Sequence, residues 1–120
     1  MRVLIVDDDT VIREVFAQVV GALGNDVTRA GDGHEALRIL RAGEVDLLVT
    51  DFNMPVMDGA ALIREVRQNQ AALPIVLITG EPEAVPRDVL VMERLLVLRK
   101  PISHGQLVAA IVHEWPARTG

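Results

Sequence analysis

Val3-Leu4-Ile5-Val6, Leu47-Leu48-Val49, Ile75-Val76-Leu77-Ile78 and Leu95-Leu96-Val97-Leu98 are short runs without a polar residue among them. A strand that reads as a continuous apolar run, instead of alternating, is buried on both faces, as in a parallel sheet covered by helices. Val27-Thr28-Arg29-Ala30 alternates and reads as an edge strand. Between the runs the spacing turns helical. Val11, Ile12, Val15, Phe16, Val19, Val20 and Leu23 fall on one stripe of a helix that Gly24-Asn25 ends. Ala36-Leu37-Ile39-Leu40 repeats the pattern behind a capping Asp32 with Glu35 three residues later, and Asp58 caps a third helix carrying Leu62, Ile63 and Val66. Leu107, Val108, Ile111, Val112 and Trp115 form the last helix, stopped by Pro116, while a helix between Pro86 and Leu95 has the weakest pattern. Strand and helix alternate about five times, which gives an α/β fold with an open parallel sheet and helices on both faces.

One domain spanning 1–120 accounts for the whole chain: 120 residues with 50% hydrophobic content suffice for one core and not for two. No run approaches the roughly 20 apolar residues that cross a bilayer, and the first run meets Asp7-Asp8-Asp9 at once. With no cysteine to cross-link, the chain reads as cytoplasmic and free of membrane contact. A net charge of -5 without a basic stripe, and only Trp115, Phe16 and Phe52 as aromatics, argue against nucleic acid as a direct partner.

In an open parallel sheet, ligands collect beyond the carboxyl ends of the strands, where the strand order reverses. Asp7-Asp8, Asp51, Thr79 and Lys100-Pro101 stand at four such ends. A carboxylate can attack a phosphoryl group only if the charge on the transferring oxygens is neutralised, which a divalent metal and an ammonium group do together. Asp51 is the candidate nucleophile. Mg2+ takes oxygen ligands and keeps several waters, so Asp8, Asp51 and the Asn53 backbone carbonyl suffice, with Asp7 acting partly through water. Lys100 supplies a compact positive charge, and the Thr79 hydroxyl donates to another phosphoryl oxygen. Without the metal, the clustered carboxylates repel and at least one binds protons more readily, so metal binding and phosphoryl transfer are expected to be obligately coupled.

Each residue alone has a plainer account. Asp9 and its neighbours cap a helix, Asp51 fills a turn, Thr79 ends a strand and Lys100 is a solvated charge. Their joint placement at successive strand ends favours a site. His34, His104 and His113 are scattered and read as surface or structural residues, not as ligands or phosphodonors.

The acidic pair Asp7-Asp8, Asp51 with Met54-Pro55 and Asp58-Gly59 after it, Thr79-Gly80 and Lys100-Pro101 together closely resemble the receiver domain of two-component response regulators, over essentially the whole chain. The resemblance implies a flavodoxin-like five-stranded sheet of order 2-1-3-4-5. It also implies a phosphoryl group taken from a histidine kinase's phosphohistidine, or from a phosphotransfer protein, onto the residue matching Asp51, with Mg2+ held by those matching Asp8, Asp51 and the Asn53 carbonyl. The phosphorylated form then presents an altered surface to a downstream protein or output domain. Such a domain catalyses its own phosphorylation and dephosphorylation and is not a metabolic enzyme. Kinase choice is normally read on the exposed face of the first helix, where Arg13, Glu14 and Gln18 are candidates.

Departures from the family pattern matter equally. Val97 stands where receivers commonly carry a Tyr or Phe, Glu93-Arg94 replaces a usual Gly-Ala, and Pro82 and Pro86 stiffen the loop after Thr79. The usual route to the fourth helix and fifth strand is therefore in question, and output is expected through another face, such as the first helix, or through a smaller rearrangement. Asn53 and Glu81, each two residues past a site residue, are expected to flank the water path to the phosphoryl group, in a pairing that resembles the single-domain chemotaxis regulator and implies a short-lived mark.

Two other readings compete. Asp7-Asp8-Asp9-Thr10-Val11 fits the nucleophile motif of haloacid-dehalogenase-like phosphatases, with Asp7 as nucleophile. That family needs a further acidic pair after its lysine, and only Glu114 follows Lys100. The chain is alternatively a receiver excised from a larger regulator or hybrid kinase; the Met1 start suits an amino-terminal position better than the end of a hybrid kinase. Lys100-Pro101 is also a place where a cis peptide would aim the lysine inward.

Overall fold

The structure, a computed structural model, describes residues 1–115. Its strands β1 (Arg2–Val6), β2 (Asp26–Ala30), β3 (Leu47–Asp51), β4 (Ile75–Thr79) and β5 (Leu95–Arg99) form one parallel sheet of order β2-β1-β3-β4-β5. Helices α1 (Thr10–Ala22) and α5 (His104–Ile111) cover one face, and α2 (Gly33–Ala42), α3 (Gly59–Asn69) and α4 (Arg87–Leu90) cover the other. The chain leaves β1 toward β2 and returns to place β3 on β1's other side, so the order reverses between β1 and β3.

Strand alternation divides the core. Leu4, Val6, Leu48, Ile75 and Leu77 pack toward α2, α3 and α4, while Val3, Ile5, Val49, Val76 and Ile78 pack toward α1 and α5. β1, β3 and β4 are buried on both sides as their unbroken apolar runs require. Each fully buried Leu or Ile contributes about 1.5–3 kcal/mol. The helix starts follow local rules. Asp9 accepts from the amides of Val11 and Ile12, Asp32 from Glu35 and Asp58 from Ala61. Gly24, at φ 91, closes α1 in the left-handed region that glycine enters freely.

Four expectations change. β5 is half-exposed along its length, because it is an edge strand beside a helix of a single turn, so its apolar run marks an edge and not a centre. Pro82 opens a 3-10 turn (Pro82–Ala84) and Pro86 precedes α4, which leaves room for only Arg87–Leu90 in helix. On α1, Val11, Val15 and Leu23 of the stripe are exposed, while Val20 is buried together with Ala17 from outside the stripe, and Phe16 and Val19 pack against the same core. Finally, α5 starts at a capping box between Ser103 and Gln106 and ends at Ile111, so Trp115 lies beyond the helix, half-buried against the α1 and α5 side of the core. Pro116 lies outside the described residues.

α4 is fastened by charge. Arg64 on α3 donates twice to Asp88 on α4, at 2.8 and 2.9 Å. Arg67 donates to the carbonyls of Gln70, Leu73, Glu93 and Arg94, and Arg94 Nε to that of Ala72, so the turn before β5 is tied to the loop before β4.

Candidate functional site

Strand register brings the sequence-separated residues together. Val6 pairs with Thr50, which puts Asp7 beside Asp51 one step on. Asp51 pairs with Ile78, so Thr79 follows on the neighbouring strand, and the Lys100 amide donates to the Thr79 carbonyl at 2.9 Å. All five chemistry-bearing residues thus stand at the carboxyl end of the sheet, around the point where strand order reverses. Asp7 and Asp51 are 3% and 5% exposed, and Asp8 is open to solvent. One carboxylate oxygen from each of Asp7, Asp8 and Asp51 lies within 4.8 Å of the others.

Lys100 Nζ sits 2.7 Å from Asp51 Oδ1, with Lys100-Pro101 in the cis form. The angles at this contact fall outside those of a hydrogen bond, so Oδ1 is buried without a directed donor. At such a distance the charge attraction holds even where the angle is poor, and the two form an ion pair. Thr79, fully buried, accepts from the Glu81 amide at 3.0 Å, which leaves its own hydroxyl proton free to donate. Asn53 and Glu81 are both exposed.

The loop after Asp51 is shaped by its turn residues. The Met57 amide donates to Pro55 and the Gly59 amide to the Phe52 carbonyl at 2.7 Å. Gly59 lies against the Asp51 backbone, which leaves no space for a side chain there. Val56, in the same loop, is 95% exposed and held at φ 70, a strained conformation for a β-branched residue.

The Asp7 carboxyl is pushed up to about 6. Burial is the main cause; the Asp9 amide opposes it, Asp51 adds to it, Lys100 opposes it and Asp8 adds a little. The expectation that one acid of the cluster holds its proton more tightly is met by Asp7, though desolvation outweighs repulsion. An unfolded Asp titrates near 3.8, so the folded chain binds this proton more tightly. The stabilisation is full below pH about 4 and is lost as pH rises through about 6. Without added divalent cation, wild type is expected to lose about 2 kcal/mol across that window relative to Asp7→Asn, less than the full conversion of the shift because the neighbouring Asp8 is solvated. Urea midpoints of both proteins from pH 4 to 8 measure this, and parallel curves would contradict it.

Of the three α1 residues named for partner recognition, only Gln18 is exposed and unengaged. Glu14 is held by Arg29 at 2.8 and 3.0 Å, and Arg13 turns inward to the Asp7 carbonyl. Sequence reading missed that inward role, since helical spacing gives a residue's face but not the target of a long side chain. His34, His104 and His113 are all exposed, and His113 meets Trp115 edge to face.

The profile of the response regulator receiver domain matches residues 3–112. The chain belongs to that family. It is a receiver domain of two-component signal transduction. It is 40% identical over 84 residues to the chemotaxis protein CheY of Pseudomonas aeruginosa, covering 68% of each chain. It is 39% identical over 80 residues to the sensor histidine kinase RcsC of Salmonella typhimurium, where the match takes in 67% of this chain but 8% of the kinase. Among solved structures, a response regulator receiver protein from Pseudomonas putida superposes with a TM-score of 0.84 at 33% identity, over 94% of this chain and 96% of that one. The receiver of the hybrid histidine kinase CckA gives 0.76 at 33% identity, over 92% and 95%. The flavodoxin-like fold and strand order expected from the sequence are the ones found. Family membership also removes the phosphatase reading centred on Asp7. No helix among the described residues is long and apolar enough to cross a membrane.

Proposed function

We propose that the receiver accepts a phosphoryl group on Asp51 from the phosphohistidine of a histidine kinase or phosphotransfer protein, in a Mg2+-dependent reaction. The observation that carries this reading is the buried Asp51 carboxylate, with Lys100 at 2.7 Å and two further acids close by. An all-oxygen set, with one carboxylate oxygen from each of three acids within 4.8 Å of the others, fits a hard divalent cation. Asp8, Asp51 and the Asn53 carbonyl would hold it, with Asp7 reached through water. When bound, it supplies positive charge that offsets the charge of the phosphoryl oxygens. The protein does the rest. An Asp51 oxygen attacks phosphorus, the bond to the donor imidazole breaks, and Lys100 and the Thr79 hydroxyl steady the transferred oxygens.

The same groups support self-catalysed dephosphorylation, and the domain acts as a cytoplasmic signalling module, not a metabolic enzyme. It passes its state to a downstream protein or an attached output domain through a change of surface, with no direct role for nucleic acid or membrane. The Arg64–Asp88 tie on α4 and the small Val97 support a limited rearrangement on that face. Incubation with a small phosphodonor such as acetyl phosphate, with and without Mg2+, followed by reductive trapping and peptide mass spectrometry, tests the assignment. The acyl phosphate is expected at Asp51 and only with the cation. Label at Asp7, or equal label in chelator, would overturn it.

A further inference from the structure

Asp8 is the exposed member of the acid cluster, and among the described residues its carboxylate makes no hydrogen bond or ion pair. Its position is therefore set by the backbone that carries it. The peptide joining Asp7 to Asp8 is planar, so fixing the Asp7 carbonyl fixes the Asp8 amide and the direction in which Asp8 leaves the turn. Arg13 supplies that fixing: its Nη1 donates to the Asp7 carbonyl oxygen at 2.9 Å. The guanidinium is half-buried, and a Cβ placed on Gly31 would lie 3.3 Å from the same nitrogen, so it fills the gap between the turns that follow β1 and β2. Asp7 is already held elsewhere, by its amide on the Ala30 carbonyl at 3.2 Å and by the Asp9 amide on its Oδ1 at 2.9 Å. Arg13 secures the one remaining group of that residue.

We propose that Arg13 is a positioning residue for the acid pair: through the Asp7–Asp8 peptide it keeps the free Asp8 carboxylate in register with Asp7 and Asp51, and so sets the affinity for the divalent cation. This rests on the reading that those acids take Mg2+. Positioning and simple electrostatics predict opposite effects of removing Arg13. Removing a positive charge near a cation site should tighten cation binding, whereas loss of a positioning hydrogen bond should weaken it. Supporting groups behind metal ligands are typically worth about 10- to 100-fold in affinity.

The test is Mg2+ titration by calorimetry on the full chain, alongside phosphorylation rates from a small phosphodonor at graded Mg2+. A small donor removes any contribution from kinase docking. Arg13→Ala is expected to weaken Mg2+ binding about 10-fold and to raise the half-saturating Mg2+ equally, with the rate at saturating Mg2+ little changed. Arg13→Lys, which keeps the charge and one donor, should fall between Arg13→Ala and wild type, and it serves as the folded variant should the alanine protein prove unstable. Gln68→Ala, at an exposed position of α3, should match wild type. Unchanged or tighter Mg2+ binding in both Arg13 variants, even with a lowered melting temperature, would reduce Arg13 to a structural residue and overturn the proposal. Asp8→Asn separates the two layers: if it alone loses affinity, the Arg13 inference fails while the metal site stands, and if it binds Mg2+ as wild type does, both fail.

Discussion

Asp51→Asn is expected to take up no phosphoryl group from any donor, kinase or small molecule. The substitution keeps the shape but removes the anionic oxygen proposed to attack phosphorus, and no neighbour substitutes for it. Asp7 is enclosed, accepts from the Asp9 amide and holds its proton up to about pH 6, while Asp8 lies outside the Lys100 contact. Phosphoryl incorporation should therefore fall by at least about 10³-fold, the scale on which removal of a nucleophile acts. The same change should weaken Mg2+ binding, because it takes one of three clustered carboxylates from the site. A cation that binds only the folded chain stabilises it by about 2.7 kcal/mol at a hundred times its dissociation constant, and this Mg2+-dependent gain should shrink in the variant. Phosphotransfer profiling against a panel of histidine kinases, with wild type and variant side by side, measures the first effect; denaturant melts with and without Mg2+ measure the second. Incorporation that survives in Asp51→Asn would end the assignment.

Gly59→Ala should cost more stability than its one-methyl size suggests. An added Cβ would stand 2.6 Å from the Asp51 carbonyl oxygen and 2.9 Å from the Phe52 Cα, both backbone atoms that cannot swing aside. Gly59 is also fixed from two directions, by its own amide on the Phe52 carbonyl at 2.7 Å and by the Asp58 cap that starts α3. A loss of about 3 kcal/mol is expected, with a melting temperature lower by on the order of 10 °C. Because the displaced carbonyl belongs to Asp51, the proposed acceptor, the phosphorylation rate in the surviving folded protein should drop as well. Gly33→Ala is the natural comparison. There the clash, at 2.7 Å, is with the flexible Met57 Sδ, so the cost should be nearer 1 kcal/mol. Equal losses in the two variants would show that backbone contact at Gly59 is not what matters.

Much of the fold was legible because its signals are local. A strand buried on both faces reads as an unbroken apolar run, and a cap such as Asp32 or Asp58 acts on an amide three residues away. The candidate site was legible for a related reason: each strand end is marked in sequence, so the sequence alone places Asp7, Asp8, Asp51, Thr79 and Lys100 in one crevice. Features that depend on what lies opposite were not. The apolar run of β5 gave no sign that it borders the sheet, since that depends on α4 being one turn long and leaving the strand half-covered. Val11 and Val15 belong to a helical stripe by spacing, yet the helix is rolled so that they face solvent while Phe16, Ala17, Val19 and Val20 meet the core. Arg13 read as a surface residue until its side chain was seen to cross to the Asp7 carbonyl.

Sequence by itself determined the α/β alternation, the parallel sheet and the identity of the groups at the strand ends, because hydrophobic period and residue chemistry act over a few neighbouring positions. Only the tertiary structure decided how those groups meet: Lys100 against Asp51 at 2.7 Å, the raised Asp7 carboxyl, and the glycine that must stay bare beside the Asp51 backbone. The reason is that distances between separate strand ends, and the burial that shifts a carboxyl's proton affinity, are properties of the packed chain and exist in no single segment of it.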